Sequence, residues 1–280
     1  FSVSGGFEGP SGAPRNINRK SIRHSGCVKH EVPDKYQSFR LKKYELQNVI
    51  QKAYLAGSGI DTANPDWGEY NGLPSVVKCR RTRISHEVTI NRKKGRKRAY
   101  YGGLAVCGSV WSCPLCCHAV MEVRRREIVQ LFDWAYGSGL KVVMVTFTFP
   151  HYDYQSCGDL LGRQKRAFEK LRRRRDYGDL KQSCGFRGLV RSLEVTRGAN
   201  GWHPHTHELF VVDRSADADL LKSVLLKGWE VSCSNVGLIP RGKLRAFRRQ
   251  AVDVRDNMNS SSYLAKADSD EQSCWGGDRE

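Results

Sequence analysis

Three histidines at alternate positions open the stretch that most constrains this chain. Residues 201–212 read Gly-Trp-His-Pro-His-Thr-His-Glu-Leu-Phe-Val-Val, so His203, His205 and His207 precede an apolar run. Alternate residues of a strand share one face, whereas a helix would need ligands three or four residues apart. The β-branched and aromatic tail favours a strand, and Pro204 fits its beginning. We therefore predict a strand that presents His205 and His207 to one metal ion; the alternative is a surface strand without a ligand.

The charge of the chain is strongly one-sided. Its 280 residues include 47 Lys+Arg and 29 Asp+Glu, a net charge of +18, and its pI is about 9.6. Such an excess favours a polyanionic partner, first of all nucleic acid. An anionic membrane surface is disfavoured, because no basic amphipathic helix with a bulky apolar face is evident. No signal peptide or membrane-span pattern is seen, so we expect a cytoplasmic protein with no membrane partner.

Ten cysteines are many for a chain without a secretion signal, and clustered cysteines then suggest metal ligands before disulfides. The spacing Cys-Pro-Leu-Cys at 113–116 is typical of a zinc site, although a lone pair of this kind is also found at redox sites. We predict a structural Zn²⁺ with Cys117 and His118 as substitute ligands. The four favoured thiolates are Cys79, Cys107, Cys113 and Cys116.

Two clusters of cations are candidate DNA contacts. Residues 78–98 form a predicted basic hairpin, and the predicted helix at 159–174 ends in a run of arginines. Phosphate contacts explain both clusters, and a solvated surface is the alternative for the hairpin. The candidate residues are Arg80, Arg81, Arg83, Lys93, Lys94, Arg96, Arg98, Arg172, Arg173 and Arg174.

Periodicity divides the chain into four parts. Residues 1–35, rich in Gly, Ser, Pro and Arg, are a predicted flexible leader. Residues 36–136 are a helical, Cys-rich, basic extension, residues 137–270 a core domain, and residues 271–280 a tail. The extension contains predicted helices at 38–56 and 119–136.

The core domain alternates strands and helices. We predict strands at 141–149, 187–196, 201–212 and 251–254, helices at 159–174, 216–230 and 257–267, and a basic loop at 241–249. The Asn-Gly before residue 202 predicts that the second and third strands pair as a hairpin. The order β-α-β-β-α-β and a last helix is that of a ferredoxin-like α+β fold.

Three further side chains suggest chemistry. Glu194 lies in the strand that pairs with the histidine strand, and a buried carboxylate needs a partner. Two imidazoles and a carboxylate suit Mg²⁺ or Mn²⁺; the alternative places Glu194 on the solvent face, and His203 is a lesser candidate ligand. Tyr263 and Lys266 are helix neighbours, so the ammonium would favour a nucleophilic phenolate, although packing alone also explains a tyrosine there.

These segments together resemble a known family. Residues 145–149 (Val-Thr-Phe-Thr-Phe), 203–207 (His-Pro-His-Thr-His) and 263–266 (Tyr-Leu-Ala-Lys) resemble, in this order, the three motifs of rolling-circle plasmid replication initiators of the HUH endonuclease superfamily. The cysteine segment at 107–116 resembles one found upstream in many such proteins. The resemblance covers about residues 105–267 and implies an HUH nuclease core with a zinc-binding extension.

The resemblance also implies a role for each site residue. Tyr263 would attack plasmid origin DNA, single-stranded at the nick, to form a 5′-phosphotyrosine and a free 3′-OH. His205, His207 and Glu194 would hold Mg²⁺ or Mn²⁺, and Lys266 would assist. Expected partners in a prokaryotic cytoplasm are the origin DNA and the host helicase and polymerase.

Two positions depart from the family pattern, and two other readings remain. Thr206 replaces a bulky apolar residue, and Asn259 stands where some relatives carry a glutamate for the terminating cleavage. Asp253, Asp256 or a second protein molecule would then take that role. The first alternative is a single-tyrosine transposase or a mobilisation relaxase, which the cysteine segment disfavours. The second is a non-catalytic, zinc-containing DNA-binding regulator whose Tyr263 only packs.

Overall fold

A computed structural model of the chain describes residues 35–60, 72–92, 94, 99–260 and 263. Its N-terminal part comprises α1 (Lys35–Ala56), α2 (Ser75–Lys78), the antiparallel pair β1 (Thr89–Arg92) and β2 (Ala99–Gly102), and the long helix α3 (Pro114–Gly137). Helix α1 contacts both α2 and α3. A small buried cluster of Val76, Val77 and three cysteines holds these helices together.

The remainder is a four-stranded antiparallel sheet covered by helices. Its strands are β3 (Leu140–Phe147), β4 (Gly188–Gly198), β5 (Gly201–Asp213) and β6 (Val252–Arg255), in the spatial order β4-β5-β3-β6. The helices are α4 (Cys157–Arg172), α5 (Arg175–Ser183), α6 (Ala218–Asn235) and α7 (Leu244–Gln250). An α+β class is therefore confirmed.

The sheet separates two apolar cores. Phe210 and Val212 of β5 point to one face and pack with residues of α4 and α6, among them Phe168 and Trp229. The alternate residues Leu209 and Val211 point to the other face and pack with Phe132 of α3. Because odd-numbered residues of β5 share this second face, the α3 side of the sheet also carries the histidines.

Capping residues explain where two of the helices begin. The Ser156 hydroxyl accepts a hydrogen bond from the Asp159 N–H at the start of α4, and the Asp217 carboxylate accepts from Asp219 and Leu220 at the start of α6. Each acceptor satisfies a backbone donor that has no partner within the helix.

The predicted strands and long helices lie close to their predicted positions, with two corrections. Residues 241–249 were expected as a basic loop, but residues 244–250 form α7, which Phe247 anchors in the core. No helix or strand was predicted at residues 175–183, which form α5. Its residues Tyr177 and Leu180 are buried. Both α5 and α7 are short helices with few apolar residues, so their periodicity is weak.

Several expectations lie outside the described residues. These are the flexible leader up to residue 34, the tail at 271–280, and the side chains of Lys93, Arg96, Arg98 and Lys266. Of the predicted helix at 257–267, residues 257–260 and 263 are described: Ser260 and Tyr263 are helical, whereas residues 257–259 are not, so the predicted start was too early. In the described part of the chain, no helix is long and apolar enough to cross a membrane.

Candidate active site

The β4–β5 hairpin brings a carboxylate to the histidines. Gly198 pairs with Gly201 across a two-residue turn, and from there the register sets Glu194 opposite His205 and Ser192 opposite His207. Directly opposed residues of antiparallel strands point to the same face. Glu194, His205 and His207 therefore share the face of the sheet that packs against α3.

These three side chains converge on one point. The Glu194 Oε2 atom lies 2.9 Å from His205 Nε2 and 3.3 Å from His207 Nε2. All their ligand atoms lie within 4.8 Å of one another. Adjacent ligands of an octahedral ion with bonds near 2.1 Å are about 3 Å apart. The donor set and its spacing can thus hold a divalent metal ion.

Hydrogen bonds behind the imidazoles direct them to this point. His205 Nδ1 lies 3.4 Å from the His203 carbonyl oxygen, which can only accept, so Nδ1 carries a proton. If the imidazole of His205 carries this proton alone, the lone pair of its Nε2 atom faces the Glu194 Oε2 atom at 2.9 Å. Two acceptors at such a distance repel each other unless a cation lies between them. A divalent metal ion at this point would remove that repulsion.

Thr146 supports the second imidazole. Its Oγ1 lies 2.9 Å from His207 Nδ1, across the β3–β5 pairing that sets Thr146 opposite His207. Such a bond to the nitrogen that does not bind metal is typical of histidine ligands in metalloproteins. Sequence reasoning missed Thr146, because the register between β3 and β5 depends on strands far apart in the chain.

The electrostatics keep Glu194 ionised and His203 neutral. Hydrogen bonds to His205 and His207 hold the pKa of Glu194 well below its usual range. Burial, with smaller effects from His151 and His205, lowers the pKa of His203 to about 4. His203 Nε2 lies 2.7 Å from Thr148 Oγ1, and its ring stacks on His151. His203 is therefore not part of the converging group.

Tyr263 packs on the same face of the sheet. Its N–H donates to the Asn259 carbonyl at 3.1 Å, which is a helical bond, and its ring centroid lies 6.3 Å from that of Phe132. It packs against the core that includes Met144, Leu209 and Phe132. The Tyr136 hydroxyl donates to the Met258 carbonyl and so ties α3 to the segment before Tyr263.

The four predicted cysteines form a second cluster. Sulfur–sulfur distances are 3.6 Å for Cys79–Cys116, 3.7 Å for Cys107–Cys116 and 3.8 Å for Cys79–Cys113. The corners of a tetrahedron with zinc–sulfur bonds of 2.3 Å are about 3.8 Å apart. Among the described residues, the ligand atoms of this cluster are these four thiols. The arrangement fits a tetrahedral four-thiolate metal site.

Two glutamines of α1 support the cysteine cluster. Gln47 Nε2 donates to the Cys113 sulfur at 3.3 Å, and Gln51 Nε2 donates to the Val76 and Cys79 carbonyls at 2.9 and 3.0 Å. Burial raises the pKa of Cys107 to about 11 and raises that of Cys79 further. Burial also acts on Cys116, but hydrogen bonds from the Gly108 N–H and from neighbouring thiols lower its pKa overall.

The candidate DNA-binding cations have different surroundings. Arg172 donates to buried Glu208 at 2.7 Å, and Arg174 pairs with Asp176 at 2.6 Å. Arg81 donates to Asn48 Oδ1 at 2.7 Å. Of the other candidates, Arg80 is half-buried, and Arg83, Lys94 and Arg173 are exposed. Their contact with DNA stays a prediction.

Comparison with known proteins adds a decisive observation. Residues 104–222, which include the β4–β5 hairpin and three of the four cysteines, match the family model described as "Replication protein". Residues 104–222 are therefore similar to a family of replication proteins. The resemblance to rolling-circle plasmid replication initiators is thereby confirmed, while Tyr263 and Cys79 lie outside the matched residues.

Two curated relatives are also similar to a part of the chain. "Protein rep" of Streptomyces lividans is 29% identical over an alignment of 138 residues, and the match covers 39% of this chain and 30% of the relative. "Neomycin resistance protein" of Streptomyces cyanogenus is 29% identical over 136 residues, covering 39% of this chain and 31% of the relative. The matched part thus spans about a third of each relative. No solved structure matches the chain.

Proposed function

We propose that this replication protein nicks and rejoins single-stranded DNA at a plasmid replication origin, with Tyr263 as the nucleophile. The observation that carries the proposal is the convergence of Glu194, His205 and His207 on the sheet face where Tyr263 packs. The strand order β4-β5-β3-β6, all antiparallel, fits the ferredoxin-like core of an HUH nuclease.

The residues would divide the work between binding and attack. Glu194, His205 and His207 would hold Mg²⁺ or Mn²⁺, which when bound supplies Lewis-acid polarisation of the scissile phosphate. The Tyr263 oxygen, once deprotonated, attacks the phosphorus and forms the bond to the 5′ phosphate. The bond to the 3′ oxygen breaks, and that oxygen takes up a proton to become the 3′-OH that primes synthesis. Lys266 would favour the phenolate.

The cysteine cluster would hold a structural Zn²⁺. A metal that joins the loop before α3 to the end of α2 would fix the extension, which carries exposed Arg83 and Lys94 for origin DNA. Binding of the origin and recruitment of a host helicase and polymerase complete the proposal.

Formation of a covalent adduct tests the nuclease proposal. The protein is mixed with end-labelled single-stranded oligonucleotides that tile a plasmid origin, with Mn²⁺ or Mg²⁺, and the products are separated on a denaturing gel. We expect a labelled protein–DNA adduct that Tyr263→Phe abolishes and that Glu194→Gln, His205→Ala and His207→Ala reduce at least about tenfold.

Matched variants make the result specific. Tyr136→Phe removes a hydroxyl from a nearby tyrosine and should leave adduct formation measurable. His203→Gln should retain the adduct, because His203 does not converge on the site. A Tyr263→Phe protein that still forms an adduct would refute the assignment of the nucleophile, and wild-type protein without any adduct would favour a DNA-binding regulator.

A further inference from the structure

A row of aromatic rings runs away from the Glu194–His205–His207 site along the beginning of β5. Ring centroids are 4.9 Å apart for His207–His205, 4.9 Å for His205–His203 and 4.4 Å for His203–His151. His151 belongs to the loop at 150–156 between β3 and α4. That loop is therefore in contact with the face of the sheet that carries the site.

The loop is held rigidly in this position. A Cβ atom on Gly201 would lie 2.6 Å from the Asp153 Cα and 2.8 Å from the backbone carbonyl oxygen of Tyr152. The loop backbone therefore lies directly against the start of β5. Within the loop, the Tyr152 N–H donates to Gln155 Oε1 at 2.8 Å, and the Gln155 N–H donates to the Tyr152 carbonyl at 3.1 Å. Any side chain that the loop exposes is thus fixed relative to the site.

This loop exposes a stacked pair of tyrosines. The rings of Tyr152 and Tyr154 are nearly parallel, with centroids 5.6 Å apart and an angle of 10° between them. Tyr154 is 79% exposed, more than any other large apolar or aromatic residue described. One face of the Tyr154 ring is therefore exposed to solvent, although burying an aromatic ring is energetically favourable. A planar ring that stacks on Tyr154 would extend the row of rings.

Cations lie at the same end of the sheet. The Thr148 N–H, just before the loop, donates to the Ala251 carbonyl at the end of α7 with a distance of 2.9 Å. The residues around α7 expose Arg241, Lys243, Arg245 and Arg249. Aromatic faces combined with a cationic surface are the usual elements of sites for single-stranded nucleic acid, in which bases stack and phosphates meet cations.

We propose that Tyr152 and Tyr154 form a base-stacking platform for the single-stranded DNA strand that enters the Glu194–His205–His207 site. This proposal rests on the proposed nicking function and names the residues that position its substrate. The platform stacks an unpaired base of this strand, and the cations around α7, at the same end of the sheet, meet its phosphates beyond the stacked base.

Binding without cleavage tests the platform in the full chain. Fluorescence anisotropy with a labelled oligothymidylate, in buffer without added Mg²⁺ or Mn²⁺, measures affinity when no metal-dependent cleavage occurs. We expect Tyr154→Ala to weaken binding about tenfold, as for the loss of one stacked base. Tyr154→Phe keeps the ring and should bind within about twofold of wild type, whereas Tyr154→Leu should resemble the alanine variant.

Two controls separate stacking from charge and from folding. Heparin offers anionic groups without bases, so its binding should be the same for Tyr154→Ala and wild type. Trp134→Ala removes another exposed aromatic, near Val190 and Val211 at the opposite end of the sheet, and should bind oligothymidylate like wild type. An unchanged oligothymidylate affinity for Tyr154→Ala, or an equal loss for heparin, would overturn the platform.

Adduct formation by wild-type protein separates this proposal from the one on which it rests. An adduct together with unimpaired binding by Tyr154→Ala refutes the platform alone. Absence of an adduct together with the tenfold binding loss refutes the nicking function and leaves the platform as a site for single-stranded DNA.

Discussion

Two neighbouring residues of β5 serve opposite faces of the sheet. His207 points to Glu194, while Glu208, only 1% exposed, accepts hydrogen bonds from Arg172 and Arg191 at 2.7 Å each on the other face. Burial raises the pKa of Glu208 to about 7, and the guanidinium of Arg172 opposes that rise. Arg172, a candidate for DNA contact from the sequence, thus has a structural partner.

Thr146 gives a test of how the histidines are held. Thr146→Val removes the hydroxyl that bonds His207 Nδ1 and should lower Mn²⁺ affinity about 10- to 100-fold, as for other groups that orient metal ligands. Isothermal titration calorimetry measures this. Thr148→Val is the matched control, because Thr148 bonds His203, which lies outside the converging group. Equal losses in both variants would contradict the assignment of the ligands.

A substitution of Arg172 tests whether this residue stabilises the fold through Glu208. Arg172→Ala leaves buried Glu208 with one guanidinium instead of two and should lower the free energy of unfolding by about 1–3 kcal/mol. Exposed Arg173 is the neighbouring control, and Arg173→Ala should change that free energy by less than about 0.5 kcal/mol. Urea unfolding at neutral pH measures both. Two variants of equal stability would show that the pair with Glu208 contributes little.

Among the elements, long periodic segments were predictable and short polar ones were not. The alternating histidines and the Asn-Gly turn predicted β5 and its hairpin, so the proximity of Glu194 to His205 followed from local geometry. Helices α5 and α7 have few buried residues, and their sequences resemble solvated loops. Gln47 and Thr146 were not predictable, because both act through contacts between segments that are distant in the chain.

Helix α5 begins with an ion pair whose contribution depends on pH. Arg174 donates twice to Asp176, and these hydrogen bonds lower the pKa of Asp176. A pKa that is lower in the folded state gives stability that is present above the unfolded pKa and lost as the pH falls. Asp176→Asn should therefore cost about 0.5–1 kcal/mol at pH 7, and this cost should shrink as the pH falls through the lowered pKa of Asp176.

Thermal unfolding of the two proteins across this pH range measures the difference. Asp179→Asn is the control within the same helix, because Asp179 pairs with Arg175 at 3.8 Å and both side chains are largely exposed. It should have almost no effect at any pH. A stability difference for Asp176→Asn that does not shrink in acid would rule out the ion pair as its cause.

At the scale of the whole molecule, α3 joins the cysteine cluster to the segment that carries Tyr263. Its first turn contains Cys116, and its last turns contain Phe132 and Tyr136, which contact Tyr263 and Met258. The cysteine cluster has its own small core, separate from the two cores of the sheet. The extension should therefore depend on its metal far more than the sheet does.

Removal of the cysteine-bound metal tests this division. A thiol-compatible zinc chelator should increase amide hydrogen exchange in α1 and α2 and leave β3 and β5 protected, as measured by mass spectrometry. The physical reason is that the four thiols, once without a metal, lose the bonds that hold the extension together. Cys157→Ser, a change outside the cluster, should not alter the exchange pattern. An equal increase of amide exchange in α1, α2, β3 and β5 would show that the extension and the sheet unfold as one cooperative unit.

The two-residue turn between β4 and β5 also bears on how this chain can change over generations. A strand presents alternate residues, so an insertion or deletion of one residue that slips β5 would exchange the faces of all its side chains. Trp202, Pro204 and Thr206 would then take the places of the histidines, and Glu208 would lose its arginines. Lineages of such proteins should therefore tolerate substitutions in this turn but reject single-codon indels there.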